Sequence, residues 1–380
     1  MTFLMIFRIY FDLENNPWEI LYFTVTNSKI MKKGIVILVT LTLILISALA
    51  FVLSSAKHSS TIPNSNQTYL GPFKNASSLN TNSKSSTLLF YNKSFLRINL
   101  MEFNTSFSLI GERGPTLSYP ISEVYSTNNS LFVSTFLWNM ESSDGIVNMT
   151  LKHGLLNVSI NLTKFEKIQN NIPVDGYPGL MYGKECWFPF YGSTIQLPEL
   201  PLPQKLDSLP DFYSQVDFKL YQLNGSIDDF SYDIWLTQNP DVTVLQYPCI
   251  EVMIWMYHEE NISSSYFINE GNVTVTAVIN GSIENETFTV YVLPHTGSAN
   301  GWIGVYYVSQ KELEGNISLP LSYLIKQSVN FASKVFPSLF LSQYYLNAIQ
   351  VGMEFNNDPQ GNAKLGYELY GWFLYFNSTA

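Results

Sequence analysis

The residues predict an all-β architecture, an antiparallel sandwich or barrel, and three observations carry that expectation. Short runs that alternate apolar with β-branched or aromatic residues recur from about residue 87 onward, between Gly, Pro and Asn punctuation. Only one later segment has helical spacing. Aromatic residues reach 15% of the chain while charged residues make up only 13%, about half the share of an average soluble protein. No internal repeat is visible.

The chain begins with residues 1–30, which read as an over-extended start, because Met31-Lys32-Lys33 has the form of a leader's own beginning. Residues 31–56 form a signal peptide or a retained membrane anchor. Within them, residues 34–53 carry no charge, and twenty helical residues at about 1.5 Å each span a bilayer core of about 30 Å. The lysines belong on the cytoplasmic side, so everything beyond lies outside the cell. Fifteen Asn-x-Ser/Thr sequons, from Asn66 to Asn377, all follow the apolar segment, as expected of a glycosylated external chain. Residues 57–86 are rich in Ser, Thr and Asn and read as a solvated stalk. Residues 87–380 are left for the folded domain.

Within that domain the alternating runs are Leu131–Trp138, Gly154–Leu162, Val216–Gln222, Val273–Ile279 and Thr287–Leu293. Pro198, Pro201, Pro203 and Pro210 mark an irregular connection. One helix is expected over 320–335, where Leu321, Leu324, Ile325, Val329, Ala332 and Val335 recur at steps of three and four before Pro337.

Charge and motifs exclude several classes of activity. A net charge of −10 lacks the basic footprint of a nucleic-acid binder. Two Cys and four His do not make a structural zinc site, and His258-Glu259-Glu260 lacks the second His of a zinc-protease helix. No dinucleotide, P-loop, serine-hydrolase or aspartic-protease string occurs, and neither a metal nor a cofactor is expected. With only 20 Lys and Arg, the chain accumulates little positive charge in acid, which suits an acidic medium.

Three further strands each bury one face and carry a carboxylate on the other. In Ile250–His258 the core face is Val252, Ile254 and Met256, opposite Glu251, Met253, Trp255 and Tyr257. In Ser342–Phe355 it is Ile349, Val351, Met353 and Phe355, opposite Ala348, Gln350, Gly352 and Glu354. In Phe230–Thr237 it is Tyr232, Ile234 and Leu236, opposite Ser231, Asp233, Trp235 and Thr237. A second face built of Trp, Met, Gln and Gly describes the floor of a sugar-binding cleft, where rings stack on pyranose faces and amides bind hydroxyls. Glycosidic bonds are broken by two carboxyl groups, and Glu251 and Glu354 suit that pair. Adjacent strands would hold them about 5–5.5 Å apart, the spacing of a retaining enzyme. Asp233 is placed to share a proton with one of them.

These residues also carry a resemblance. Ser-Tyr-Asp-Ile-Trp-Leu-Thr (231–237), Ile-Glu-Val-Met-Ile-Trp (250–255) and Gln-Val-Gly-Met-Glu-Phe (350–355) resemble three successive motifs of glycoside hydrolase family 12. Leu-Trp-Asn (137–139) and Gly-Tyr-Pro-Gly-Leu-Met-Tyr-Gly (176–183) are similar to its early strands. The likeness covers about residues 125–377, whereas residues 87–124 have no counterpart and are open to being extra strands or an extension of the stalk. It implies a β-jelly-roll sandwich of two antiparallel sheets around a concave cleft. It also implies a retaining endo-β-1,4-glucanase, with Glu251 as nucleophile, Glu354 as acid/base and Asp233 as the supporting carboxylate. Trp138 matches the family's tryptophan platform and Met253 the methionine beside the nucleophile. Trp255, Trp235 and Gln350 are further candidates for sugar contact, with core packing as the alternative for each tryptophan. A monomer acting on β-1,4-glucan outside the cell, secreted or tethered through residues 34–53, is expected. A preference for xyloglucan or xylan is the nearest alternative, and a non-catalytic carbohydrate-binding module or adhesin the alternative of another class. Cys186 and Cys249 are either a disulfide, contributing roughly 4 kcal/mol in an external compartment, or free buried thiols.

Overall fold

The computed structural model describes residues 95–101 and 131–377, apart from 171, 187–192, 195, 260–261, 263–264 and 297–300. It also describes the backbone of four short strands, Phe3–Met5, Phe23–Val25, Phe107–Gly111 and Val124–Tyr125. The first two pair with each other in a unit of their own, Met1–Leu79. The apolar segment 34–53, the stalk and Trp187 lie outside the described residues, among which no helix is long and apolar enough to cross a membrane.

The second unit is built almost wholly from strands. In chain order these are β1 (Phe95–Asn99), β2 (Phe107–Gly111), β3 (Val124–Tyr125), β4 (Phe132–Ser134), β5 (Met140–Lys152), β6 (Leu155–Lys167), β7 (Gly179–Gly183) and β8 (Gln204–Lys205). There follow β9 (Phe212–Asn224), β10 (Ser226–Thr237), β11 (Ile250–His258), β12 (Ile268–Ile279), β13 (Ser282–Leu293), β14 (Ile303–Ser309) and β15 (Gly315–Leu319). Helix α1 (Leu321–Val335), β16 (Tyr345–Asn356) and β17 (Asn362–Asn377) complete the unit.

Strand pairing sorts these elements into two layers. One sheet runs β3-β4-β7-β16-β10-β11-β14-β13-β12, and the other runs β15-β9-β17-β6-β5-β2, with β1 beside the C-terminal end of β17. The layers meet along one edge, where Val278 and Ile279 of β12 pair with Ser318 and Ile317 of β15. Every pair is antiparallel except β11 with β14, which run parallel because the β12–β13 hairpin intervenes and returns the chain in the same sense. Part of the 87–124 region is thus additional strand, β1 extending the second layer.

The predicted faces pack as the alternation requires. Val252, Ile254, Met256, Tyr232, Ile234, Ile349, Val351, Met353 and Phe355 are fully buried between the layers, against Val216, Phe218, Leu365, Tyr367 and Leu369 from the other sheet. Phe218 and Phe230 stack across the two layers with centroids 3.8 Å apart. Burying such rings stabilises each by about 1.5–3 kcal/mol. In β17 the inward phase changes from Leu369 to Trp372, because Tyr370 is left unpaired between Gly371, opposite Asp217, and Leu369, opposite Phe218.

Helix α1 matches its expected span. Leu321, Leu324, Ile325, Val329 and Ala332 are buried, and Ser328 bonds the Tyr307 hydroxyl of β14. Three expected boundaries are corrected. Residues Leu341–Gln343 form a 3-10 turn, so the acid-bearing strand begins at Tyr345 rather than Ser342. The run at Leu131 is a strand only over Phe132–Ser134, where β7 supplies backbone partners, and Trp138 falls in the turn that follows. The Phe230–Thr237 strand starts earlier, at Ser226.

Candidate active site

The outer face of the first sheet collects the chemistry-bearing side chains. Successive register pairs place Glu251 beside Trp235, Met253 beside Asp233 and Trp255 beside Ser231 across β11–β10. Trp235, Asp233, Ser231 and Asp229 in turn face Ala348, Gln350, Gly352 and Glu354 across β10–β16. Gly304 and Tyr306 of β14 flank Glu251 and Met253 on the other side. All three predicted carboxylates therefore share one face. The strands of Glu251 and Glu354 are not adjacent, however: β10, which carries Asp233, lies between them.

Glu251 is half-buried, and its Oε2 accepts two hydrogen bonds, from Trp302 Nε1 at 3.1 Å and from the Tyr306 hydroxyl at 3.0 Å. Burial pushes its carboxyl up, and these two donors pull it partly back. Gly304 makes the second bond possible, since a Cβ there would lie 2.4 Å from the Tyr306 ring. Asp233 is raised well above the usual carboxylate range, first by burial and then by the charges of Glu251, Glu185 and Asp229. Glu354 is also raised well above it, by burial and then by Asp229, with smaller contributions from Asp228 and Glu251. Glu251 and Glu354 thus act on each other electrostatically across the intervening strand.

The other candidates divide by surroundings. Met253 is buried on the site face, and half-buried Trp255 meets Tyr306 edge-on, with centroids 6.0 Å apart. Gln350 donates from Nε2 to Glu185 at 3.3 Å. Trp235 is only 4% exposed. It packs in a small apolar cluster with Phe132, Met181, Cys186 and Ala348, and meets the Trp302 ring edge-on at 5.6 Å. Trp138 is half-buried in the turn before β5. Next to it Asn139 is fully buried, donating to the carbonyls of Gln169, Ile172 and Val174 and accepting from the Gln169 N–H. Cys186 and Cys249 are free and buried, Cys186 within the apolar cluster.

Sequence reading missed four groups here. Asp229 is fully buried opposite Glu354 and lies four residues before Asp233 on the same face; the truncated start of its strand concealed it. Tyr306 and Trp302 belong to the β14 region, whose continuous apolar run shows no alternation to read. Glu185 follows β7 and is recognisable only from its contact with Gln350. No group of three or more His, Cys, Asp or Glu among the described residues is arranged to hold a metal ion.

The family model of glycosyl hydrolase family 12 matches residues 129–372, which include every residue of this face. The chain belongs to glycosyl hydrolase family 12. Solved structures of that family are among those to which the chain is similar. A native family 12 xyloglucanase from Bacillus licheniformis has 14% identity and a TM-score of 0.49, covering 71% of this chain and 99% of its own. Endoglucanase 3 of Trichoderma harzianum has 17% identity and a TM-score of 0.46, with 72% and 99% covered. Endoglucanase cel12A of Rhodothermus marinus has 17% identity and a TM-score of 0.46, with 70% and 99% covered. No curated protein matches the chain by sequence. As a family 12 member the protein is a glycoside hydrolase, and its substrate is a polysaccharide.

Proposed function

We propose that the protein cleaves internal β-1,4-glucosidic bonds with retention of configuration, using Glu251 as nucleophile and Glu354 as acid/base. The observation that supports this reading is the unequal surroundings of the two carboxyls. Glu251 receives two donors on a single oxygen, which favours its ionised form. Glu354 faces another carboxyl, which favours keeping its proton. One group is thereby prepared to attack and the other to donate.

In the first step a Glu251 oxygen bonds to the anomeric carbon while Glu354 passes its proton to the departing glycosidic oxygen. In the second, Glu354 takes a proton from water, the hydroxide displaces Glu251, and configuration is restored. Asp233, raised by burial and then by the Glu251 charge, holds a proton beside the nucleophile and limits the negative charge there. Met253 and Trp255 line the floor beneath the sugar, Gln350 supplies an amide, and Trp138 stands as an outlying platform. The low content of Lys and Arg and the raised carboxyls support work in acid. Residues 31–56 act as a leader or anchor that delivers the domain outside the cell.

Reducing-sugar release from β-glucan, xyloglucan and xylan tests this, with Glu251→Gln and Glu354→Gln beside the native chain. Release from glucan that disappears in both variants supports the reading. A preference for xyloglucan or xylan revises the substrate. Binding to glucan without release from any substrate overturns catalysis.

A further inference from the structure

We propose that Asp229 is the positioning residue of the acid/base: it shares a proton with Glu354 across the β10–β16 pair, and its own ionisation sets the alkaline limit of activity. The inference rests on the assignment of Glu354 as acid/base and goes beyond it, because the reaction described above uses the facing carboxyl only to keep the Glu354 proton and gives Asp229 no titration of its own.

The geometry is a direct register pair, Asp229 opposite Glu354, on the sheet face that carries Glu251 and Asp233. Asp229 is fully buried, and neither of its oxygens receives a hydrogen bond from a fixed donor. Its polar neighbours are the Ser231 hydroxyl and the Glu354 carboxyl, and the second of these donates only when protonated. The titratable groups around it are Asp228 and Asp233 on its own strand, Glu354 on β16, Glu251 and His258 on β11, and the buried Tyr177 hydroxyl. Among the described residues no Lys or Arg is a main influence on either carboxyl; His258, whose ring nitrogen also meets the Ser309 carbonyl at 2.8 Å, pulls Asp229 down, but by less than burial raises it. Two buried carboxyls facing one another with no Lys or Arg beside them do not both ionise readily, so a proton stays with the pair.

That shared proton has a consequence for the reaction. While Asp229 is protonated, its O–H donates to Glu354 and stabilises the carboxylate left when the Glu354 proton moves to the glycosidic oxygen; the Asp229 proton remains on Asp229. Once Asp229 ionises, it holds the Glu354 proton by hydrogen bond, and transfer would leave two adjacent negative charges. Burial pushes Asp229 up to about 7, so the loss falls near neutrality and leaves the acid range active.

Asparagine at 229 keeps the shape and donates an N–H at every pH. The test compares pH profiles of kcat/KM for the native chain, Asp229→Asn, Asp229→Ser and Glu354→Gln. Each is run on β-glucan and on an aryl cellobioside whose leaving group needs no proton. On glucan, the alkaline limb of Asp229→Asn moves upward by about one pH unit or more, and Asp229→Ser, which keeps a hydroxyl donor, moves it the same way. On the aryl substrate the limb stays in place. Profiles that superimpose on the native one, or a loss that is equal at every pH, overturn the inference while Glu354→Gln remains inactive on glucan. Glu354→Gln with full activity on glucan instead overturns the acid/base assignment itself. Infrared titration of the carboxyl stretch gives a reading independent of turnover. The native chain retains a protonated carboxyl at pH values where Asp229→Asn has one fewer, and identical titrations contradict the shared proton.

Discussion

Each proposed catalytic carboxyl depends on one or two neighbours, and those neighbours make separable predictions. Tyr306→Phe removes one of the two donors to Glu251. Because that bond lowers the Glu251 pKa, its loss raises it, so the acid limb of kcat/KM moves to higher pH by about one unit. A profile shifted downward, or unshifted with normal folding, contradicts the assignment. Glu354→Gln lowers the rate on unactivated glucan about 10²–10⁴-fold, the usual contribution of a general acid, and is rescued in part by a substrate with a good leaving group. These groups were unevenly legible in the sequence. Glu251, Asp233 and Glu354 stand out because alternation puts a carboxylate where a core-backed strand presents rings and amides. Tyr306 on β14 and Trp302 just before it reach the same oxygen from a run whose residues are nearly all apolar or aromatic, so nothing in the string separates the bonding ring from a packing one.

At the scale of elements, β10 organises the site. It pairs with the strands of both proposed catalytic glutamates, its two-residue period puts Asp229 on the face of Asp233, and the skip at Asp228 sets Asp229 opposite Glu354. The pairing skips Asp228 on the β16 side and Met256 on the β11 side. Bulges leave no composition signal, and strand order is not written in the alternation of any one strand, so neither the start at Ser226 nor the place of β10 between the two glutamate strands is legible in the residues. The buried faces were legible for the opposite reason. Val252, Ile254 and Met256, like Ile349, Val351, Met353 and Phe355, repeat at the two-residue period that a one-sided sheet imposes. Helix α1 was equally clear, since its stripe and Pro337 mark both face and end. Gly304→Ala tests how β14 supports the site. The added methyl meets the Tyr306 ring and displaces it, so activity falls about tenfold, as expected for losing a bond to a charged group, while the unfolding midpoint changes little. Unchanged activity would mean that the ring is not needed. Asn139→Ala acts on stability instead. It removes the donor shared by the part-buried carbonyls of Gln169, Ile172 and Val174 and costs about 1–2 kcal/mol in denaturant unfolding.

For the whole molecule, the carboxyl shifts point the same way. Asp229, Asp233, Glu251, Glu354, Asp175 and Asp217 are all raised, burial being the largest cause in each. A folded state that holds these protons more tightly than the unfolded chain gains stability that is fully present below about pH 4. That gain is lost as pH rises through the folded values, which for Asp229 is about 7. Calorimetric scans should therefore show the highest unfolding midpoint in acid and a decline toward neutrality, less steep in Asp229→Asn; a midpoint that climbs from pH 4 to 7 contradicts this. With 20 Lys and Arg, the protonated molecule stays modestly charged, so self-repulsion does not cancel the gain. Composition made that tolerance readable, whereas the burial that raises the carboxyls appears only when the layers are assembled. The proposed retaining reaction depends on Glu251 forming a bond to the sugar. The most direct measurement is mass spectrometry of the protein after reaction with an activated 2-deoxy-2-fluoro-cellobioside, followed by peptide mapping. One added fluorocellobiosyl group is expected, carried by the peptide that contains Glu251 and absent from Glu251→Gln. A label on any other residue, or an active enzyme that accumulates none and releases product of inverted configuration, would contradict it.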